Sequence, residues 1–289
     1  MATPSPLVCH ADAATYRVAG VVAHDQVADS TWRIRLDCPP IAARATPGQF
    51  AMLRLADRND PLLARPFAVY DVASDADGPR YADFIYLVHG RFTQALTRVR
   101  PGDALAVWGP LGNGFRLPTV EHLVLVAGGI GQTALLTLAR ERLGQAQDGG
   151  PSPDRPLARR VTLCWGARHA GMFACVDDFR RAGCEVHLAT LDGSMGSKGT
   201  VVDLLDGTAG IDAATARIAC CGPEPMMEAV SHWSAARGIA CDVSLETPMA
   251  CGIGICFTCV AKVSDGEGGW DYRRTCIEGP VFDAKQIVW

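Results

Sequence analysis

The chain has 289 residues, 48% of them hydrophobic and 20% charged, with a formal charge of -4 at pH 7. That is the composition of a globular protein, and a domain size of roughly 150 residues makes two domains, or two and a small appendage, the expectation. Nucleic acid is excluded as a partner because no basic surplus exists to neutralise phosphates, and a membrane span because no apolar run reaches about 18 residues.

Residues 15–117 read as short alternating strands. Trp32, Ile34 and Leu36 share one strand face, Phe50 and Met52 another, and Pro47-Gly48 and Pro101-Gly102 supply turns. Further strands are expected over Arg65–Val72, Ala82–Val88 and Ala104–Trp108, with one helix between Phe92 and Val99. Many short strands at regular spacing predict a small antiparallel barrel. Within it Arg65 enters a strand ahead of aromatics, and Gly90-Arg91-Phe92-Thr93 opens the helix. An Arg and a helix N-terminus at Thr93 suit an anionic diphosphate, and equally an ordinary surface Arg and an ordinary cap.

Residues 118–243 change to an α/β texture. Strands are expected over His122–Ala127, Val161–Trp165, Glu185–Thr190 and Arg217–Cys221, and helices over Thr133–Leu143 and Met172–Ala182. A last helix places Met226, Val230 and Trp233 on one core-facing side. Alternating strands and helices predict a parallel, doubly wound sheet. Gly144–Pro156 reads as a surface loop. The turn Gly128-Gly129-Ile130-Gly131 lacks the full dinucleotide fingerprint; it marks a close backbone approach either to a ligand or to a neighbouring strand. Cys221-Gly222-Pro223 takes the equivalent place after a later strand, so two turns face one crevice at the carboxyl ends of parallel strands.

Residues 244–289 are glycine-rich and too short for a large core of their own. Of the chain's twelve cysteines, eight are scattered, mostly in apolar stretches, and four cluster here. Cys251-x4-Cys256-x2-Cys259 followed by Cys276 is the plant-type spacing of a [2Fe–2S] cluster. A zinc site also takes four Cys, but usually as two short pairs, whereas here three ligands share one glycine loop.

The succession RPFAVYD (65–71), GPLGNGF (109–115), AGGIG, CGPEPMM, SLETPMACGIGICFTC and RTCIEGPVF resembles the ferredoxin-reductase superfamily. Within it the chain is most similar to the electron-transfer subunits of NAD-linked, two-subunit dihydroorotate dehydrogenases. The resemblance implies an FAD-binding barrel, an NAD-binding domain and a C-terminal [2Fe–2S] module. It implies that Arg65, Pro66, Phe67 and Ala68 hold FAD with Arg65 on its diphosphate, that Ile85, Tyr86 and Leu87 line the flavin, and that Phe92 and Thr93 meet the phosphates. It further places Gly128, Gly129 and Gly131 against NAD and Cys221, Gly222 and Pro223 beside the nicotinamide, with the cluster on Cys251, Cys256, Cys259 and Cys276. The stretch from Asp192 would lie near the adenosine, and NAD is expected over NADP although Arg168 could meet a 2′-phosphate. Ala68 stands where the family has Ser, Phe92 where it has a second glycine, and Thr133-Ala134 where it has Ala-Pro.

The implied activity follows from electron counting. Nicotinamide moves two electrons as hydride and the cluster takes one at a time, so flavin must mediate between them. In the resembling family an FMN-containing partner oxidises dihydroorotate for pyrimidine biosynthesis, electrons pass through the cluster to FAD, and NAD⁺ is reduced. The expectation is therefore an oxidoreductase subunit of a heterotetramer with no catalytic side chain of its own. The opening residues 1–17 lack the pattern of a secretory signal, so the cytoplasm is the expected location. The alternatives are a flavin and iron–sulfur reductase serving an oxygenase, hydrogenase or bifurcating complex, and an electron carrier that has lost its flavin.

Overall fold

A computed structural model describes residues 10–145 and 157–289. Of the loop expected over Gly144–Pro156, residues 146–156 lie outside the described residues, as does Cys9. The first sheet comprises β1 (Thr15–Ala28), β2 (Thr31–Asp37), β3 (Phe50–Leu55), β4 (Arg65–Ala68), β5 (Asp71–Asp75), β6 (Gly78–Leu87) and β7 (Ala104–Leu111), with helices α1 (Pro39–Arg44) and α2 (Arg91–Leu96) between strands. All pairings are antiparallel, in the order β4-β3-β7-β1-β2-β6-β5. The single strand expected over Arg65–Val72 is two strands. The Val69 N–H donates to Gln49 O beside β3, and the next residue, Tyr70, donates to Asp83 O on β6. One extended run thus leaves one edge of the sheet and joins the other, which closes the barrel. Pro66 to Tyr70 is an uninterrupted apolar run, which is why the sequence reads as one strand.

Ile34 and Leu36 fill the barrel core with Ala51, Leu53 and Leu55, and Trp32 packs partly against it. Phe50 and Met52, on the other face of β3, are also buried, against the cysteine-bearing segment. Helix α2 begins at Arg91 and ends at Leu96, earlier at both ends than expected.

The second sheet takes β8 (Val120–Gly128), β9 (Ala158–Ala167), β10 (Glu185–Thr190), a two-residue β11 (Ser197–Lys198), β12 (Ala216–Cys221), β13 (Ala240–Ser244) and, later in the chain, β16 (Val281–Asp283). Its helices are α3 (Leu136–Arg142), α4 (Val176–Arg181), α5 (Val201–Gly207) and α6 (Glu224–Ala236). The order is β11-β10-β9-β8-β12-β13-β16, parallel except for β16. Leu123, Leu125 and Ala127 of β8 pack towards α3 and α4, and Val124 and Val126 towards α5 and α6, so alternate residues serve two helical layers.

Two expected helices are shorter than the apolar pattern suggested. Thr133–Leu143 resolves into a 3-10 turn over Gly129–Ala134 and then α3. Met172–Ala182 resolves into a 3-10 turn over Ala170–Met172 and then α4, which starts after Cys175 at φ +60°. In α6, Val230 and Trp233 are core as expected, but the buried methionine is Met227, and Met226 lies over the glycine turn.

Residues from 244 onward make one sheet of their own, the hairpin β14 (Val260–Ser264) and β15 (Trp270–Arg274), and lend β16 to the second sheet. This segment shares apolar clusters with both larger parts: Met249, Cys259 and Cys276 with Phe50, Met52 and Leu111 of the barrel, and Val263, Phe282 and Ala284 with the second sheet. Among the described residues no helix is long and apolar enough to cross a membrane.

Candidate functional site

The four clustered cysteines are brought together by the hairpin and by a tight loop. Val260 pairs with Arg274, so the hairpin base carries Cys259 at one foot and Cys276 near the other. Buried Thr275 fastens the two, donating from its N–H (2.7 Å) and its hydroxyl (3.1 Å) to Cys259 O. The sixteen residues between these ligands are therefore a hairpin and its turns. Cys251 and Cys256 lie on the loop ahead of it, where the Ile253 N–H donates to Cys251 Sγ at 3.4 Å.

Hydrogen bonding sorts the thiols into two pairs. Cys256 is pulled down to about 6 by hydrogen bonds to the Thr258 hydroxyl and N–H, and it also contacts Cys251. Cys259 is likewise lowered, by the Cys276 thiol that donates to it, while Cys276 is held correspondingly high and also faces Cys251. Two pairs of thiols, with members already biased towards thiolate, match the ligand demand of a two-iron cluster. The other described cysteines are free thiols too; Cys164 and Cys184 are pushed up by burial, which keeps them inert.

The loop is seated on the barrel. Trp108 of β7 donates its indole N–H to Cys251 O at 2.9 Å. A side chain at Gly252 (φ +74°) would meet Met52 Cγ at 2.6 Å, so glycine is required both by conformation and by the barrel surface beneath. Asn113 bolts the far side: its side chain donates to Glu278 O and Val281 O and accepts from the Val281 N–H, and its own N–H donates to Gly279 O. Sequence reasoning missed Met52, Trp108, Leu111 and Asn113. Their signal was present: FAMLRL is apolar on both faces, and the GPLGNGF motif contains the bolt.

At the barrel closure, β4 is an edge strand in contact with β6. Arg65 is exposed there and its Nη1 donates to Ala64 O (2.9 Å) and Leu63 O (3.3 Å), leaving other N–H groups to spare. Pro66, Phe67, Ala68 and Leu87 are half-buried. Ile85, Tyr86 and Phe92 are buried among core side chains, with Phe92 stacked on Phe67 and the Tyr86 hydroxyl 2.8 Å from His24 Nε2. Thr93 Oγ1 accepts from the His89 N–H at 2.6 Å and donates to Gly90 O. Ile85, Tyr86, Phe92 and Thr93 thus form the wall behind the half-buried Pro66, Phe67, Ala68 and Leu87. An exposed Arg beside a half-buried edge strand still fits the flavin expected there.

In the second sheet the chain runs β8, β9, β10 outward and then returns to β12 on the other side of β8, so the crevice at the carboxyl ends of β8 and β12 is a topological switch point. The three turn glycines divide by cause. A Cβ on Gly131 would lie 2.1 Å from Cys221 O, and one on Gly128 2.4 Å from Met226 Sδ, so both are explained by packing of one turn on the other. Gly129 (φ +53°) has nothing within 4 Å of that position and faces open space. Gly131→Ala should therefore lose at least about 2 kcal/mol in urea unfolding, whereas Gly129→Ala should lose only about 1 kcal/mol of left-handed strain. Native stability in Gly131→Ala would refute the packing account. Cys221 and Gly222 are half-buried and Pro223 exposed; burial, with the Glu246 carboxylate nearby, pushes the Cys221 thiol up to about 12.

Comparison with known proteins agrees with this arrangement. The profile of the iron-sulfur cluster binding domain of dihydroorotate dehydrogenase B matches residues 246–288, and that of the oxidoreductase NAD-binding domain matches residues 125–232. A solved structure from work on flavin-based electron bifurcation, an NADH-dependent reduced ferredoxin-NADP oxidoreductase, superposes with a TM-score of 0.77 at 25% identity, covering 94% of this chain and 90% of its own. The ferredoxin reductase of carbazole 1,9a-dioxygenase gives 0.64 at 21%, covering 78% and 67%. The electron transfer subunit of dihydroorotate dehydrogenase B (NAD(+)) from Desulforamulus reducens is 37% identical over 273 residues, 94% of this chain and 97% of that protein. Its counterpart from a Geobacillus species is 33% identical over 272 residues, 93% and 96% respectively. The chain belongs to the family of dihydroorotate dehydrogenase B (NAD(+)) electron transfer subunits.

Proposed function

We propose that this chain carries electrons between a dihydroorotate-oxidising, FMN-containing catalytic subunit and NAD⁺, in a cytoplasmic heterotetramer, with FAD on the barrel edge and a [2Fe–2S] cluster on Cys251, Cys256, Cys259 and Cys276. The observation that carries the reading is the seating of the cysteine loop. Ala64, the residue before Arg65, shares an apolar cluster with Cys259, Cys276, Met52 and Leu111. The metal ligands and the strand that would hold flavin are thus parts of one packed unit, as transfer between redox centres over short distances requires. When bound, the cluster supplies one-electron transfer and the flavin the exchange between single electrons and hydride.

The chain's own residues bind, orient and shield. Arg65 offers spare N–H groups to a diphosphate, and β4 offers its free edge. Gly129 leaves room for a nucleotide at the switch-point crevice, with Cys221, Gly222 and Pro223 on its opposite wall. Burial holds the Cys221 thiol on that wall above the ordinary thiol range. Met52, Leu111 and Met249 keep water from the inner side of the cysteine loop.

Denaturing the purified protein and chromatographing what is released tests the barrel assignment. FAD is the expected flavin, because the exposed Arg65 on the edge strand keeps N–H groups free for a diphosphate. FMN alone, or no flavin after reconstitution, would overturn it.

A further inference from the structure

The barrel and the nucleotide sheet meet over buried charges. Arg33 of β2 donates through Nε to Asp83 at 2.8 Å and through Nη1 to Asp178 of α4 at 3.2 Å, and its guanidinium lies over the Tyr70 ring. The Tyr70 hydroxyl donates to the same Asp178 oxygen at 2.7 Å, while the other oxygen takes Arg181 of its own helix. A second pair crosses with the opposite polarity: Arg140 of α3 donates to Asp71 of β5. A third contact is backbone, from the Asp29 N–H to Gly171 O at 2.8 Å. Asp83, Asp178 and Asp71 expose only 1%, 9% and 11% of their side chains, so the acidic side of the network is interior, while Arg33 (24%) and Arg140 (26%) reach it from the border of the solvent.

Three separate contacts fix an angle where one would leave a pivot. Buried ion pairs add little net stability over apolar packing of the same volume, but removing one partner leaves an uncompensated charge, so they penalise every arrangement except the one that pairs them. We propose that Asp178 is a positioning residue: it sets the angle between barrel and nucleotide sheet, and through that angle the approach of nicotinamide to flavin. This deepens the function proposed above, since flavin and nucleotide are there held by different parts of the chain. Hydride transfer needs its atoms about 3–3.5 Å apart, and an error of about 1 Å can cost a hundredfold in rate. Asp178 receives two donors from the barrel, one from a strand and one from the strand-switch residue, and so reads the position of the barrel closure where flavin is expected.

Asp178→Asn keeps the shape and the Tyr70 bond while removing the charge that faces Arg33. The expected result is a fall of about tenfold in kcat for NADH-driven dye reduction with KM for NADH within about twofold of native. Tyr70→Phe, a milder change that keeps the packing, should lose about threefold in kcat in the same sense. Asp177→Asn, the exposed neighbour paired with Arg180, should be unchanged. The independent readout is the distance distribution between labels attached by non-cysteine chemistry at the exposed residues Ala76 and Ala213, which should broaden in Asp178→Asn and Tyr70→Phe. A native distribution and native kcat in both variants would overturn the proposal, as would a KM rise that accounts for the whole loss. The distance measurement does not need bound flavin, so a wrong flavin assignment would appear in the released-flavin experiment and leave this one able to decide.

Discussion

Cys256→Ser protein is expected to retain less than about a tenth of the native iron, with the visible absorption of the cluster gone and flavin still bound. Cluster binding and folding of a small metal module are one equilibrium, so loss of a strong thiolate ligand removes most of the affinity. Cys256 is exposed, and replacing its sulfur by oxygen disturbs no packing, so any loss of iron reports ligation and nothing else. Flavin should survive because the barrel core around Ile34, Leu36, Leu53 and Phe84 contains none of the four cysteines. Cys276→Ser, at a fully buried position in contact with the barrel cluster, should lose iron and also thermal stability. Cys184→Ser, buried elsewhere, should keep its iron. Iron and flavin analysis of the three purified variants decides the matter, and native iron in Cys256→Ser would remove that residue from the ligand set.

The second large effect is expected on adding a partner. The isolated chain should reduce artificial dyes with NADH yet form no NADH from dihydroorotate, and adding the catalytic subunit of a related dihydroorotate dehydrogenase B should raise the latter rate by at least about a hundredfold, the scale of bringing reacting centres into contact. The barrel interior is filled by its own side chains. Around Cys256 the loop exposes Ile253, Ile255 (74%) and Phe257 (63%), large apolar residues that a second protein would cover. Dihydroorotate-dependent NADH formation by the chain alone would refute the subunit reading; no stimulation by any such catalytic subunit would point to another redox partner.

How much of this was legible beforehand divides along physical lines. Local chemistry was legible. The Cys251, Cys256, Cys259 spacing is a property of one loop, the antiparallel sheet follows from the period of its strands and the parallel one from strands alternating with helices, and each glycine turn lies within its own βα connection. The sequence by itself therefore determined the class of each part, their order along the chain and the candidate ligands.

What it could not determine was which face meets which, because a buried side chain looks the same whatever buries it. Phe50 and Met52 read as one strand face and prove to be the floor beneath the cysteine loop. Arg65–Val72 reads as one strand because its apolar run is uninterrupted while the hydrogen-bonding partner changes at Val69–Tyr70. Gly128, Gly129 and Gly131 read as a close backbone approach to a ligand or to a neighbouring strand, and only the fold divides them: Met226 and Cys221 crowd Gly128 and Gly131, while Gly129 faces open space. Arg33, Asp83 and Asp178 lie up to 145 residues apart in sequence, and their charges gain meaning only when two sheets close over them. Such pairings depend on contacts between distant segments, whose geometry is set by the packing of the whole fold and has no period in the sequence to betray it.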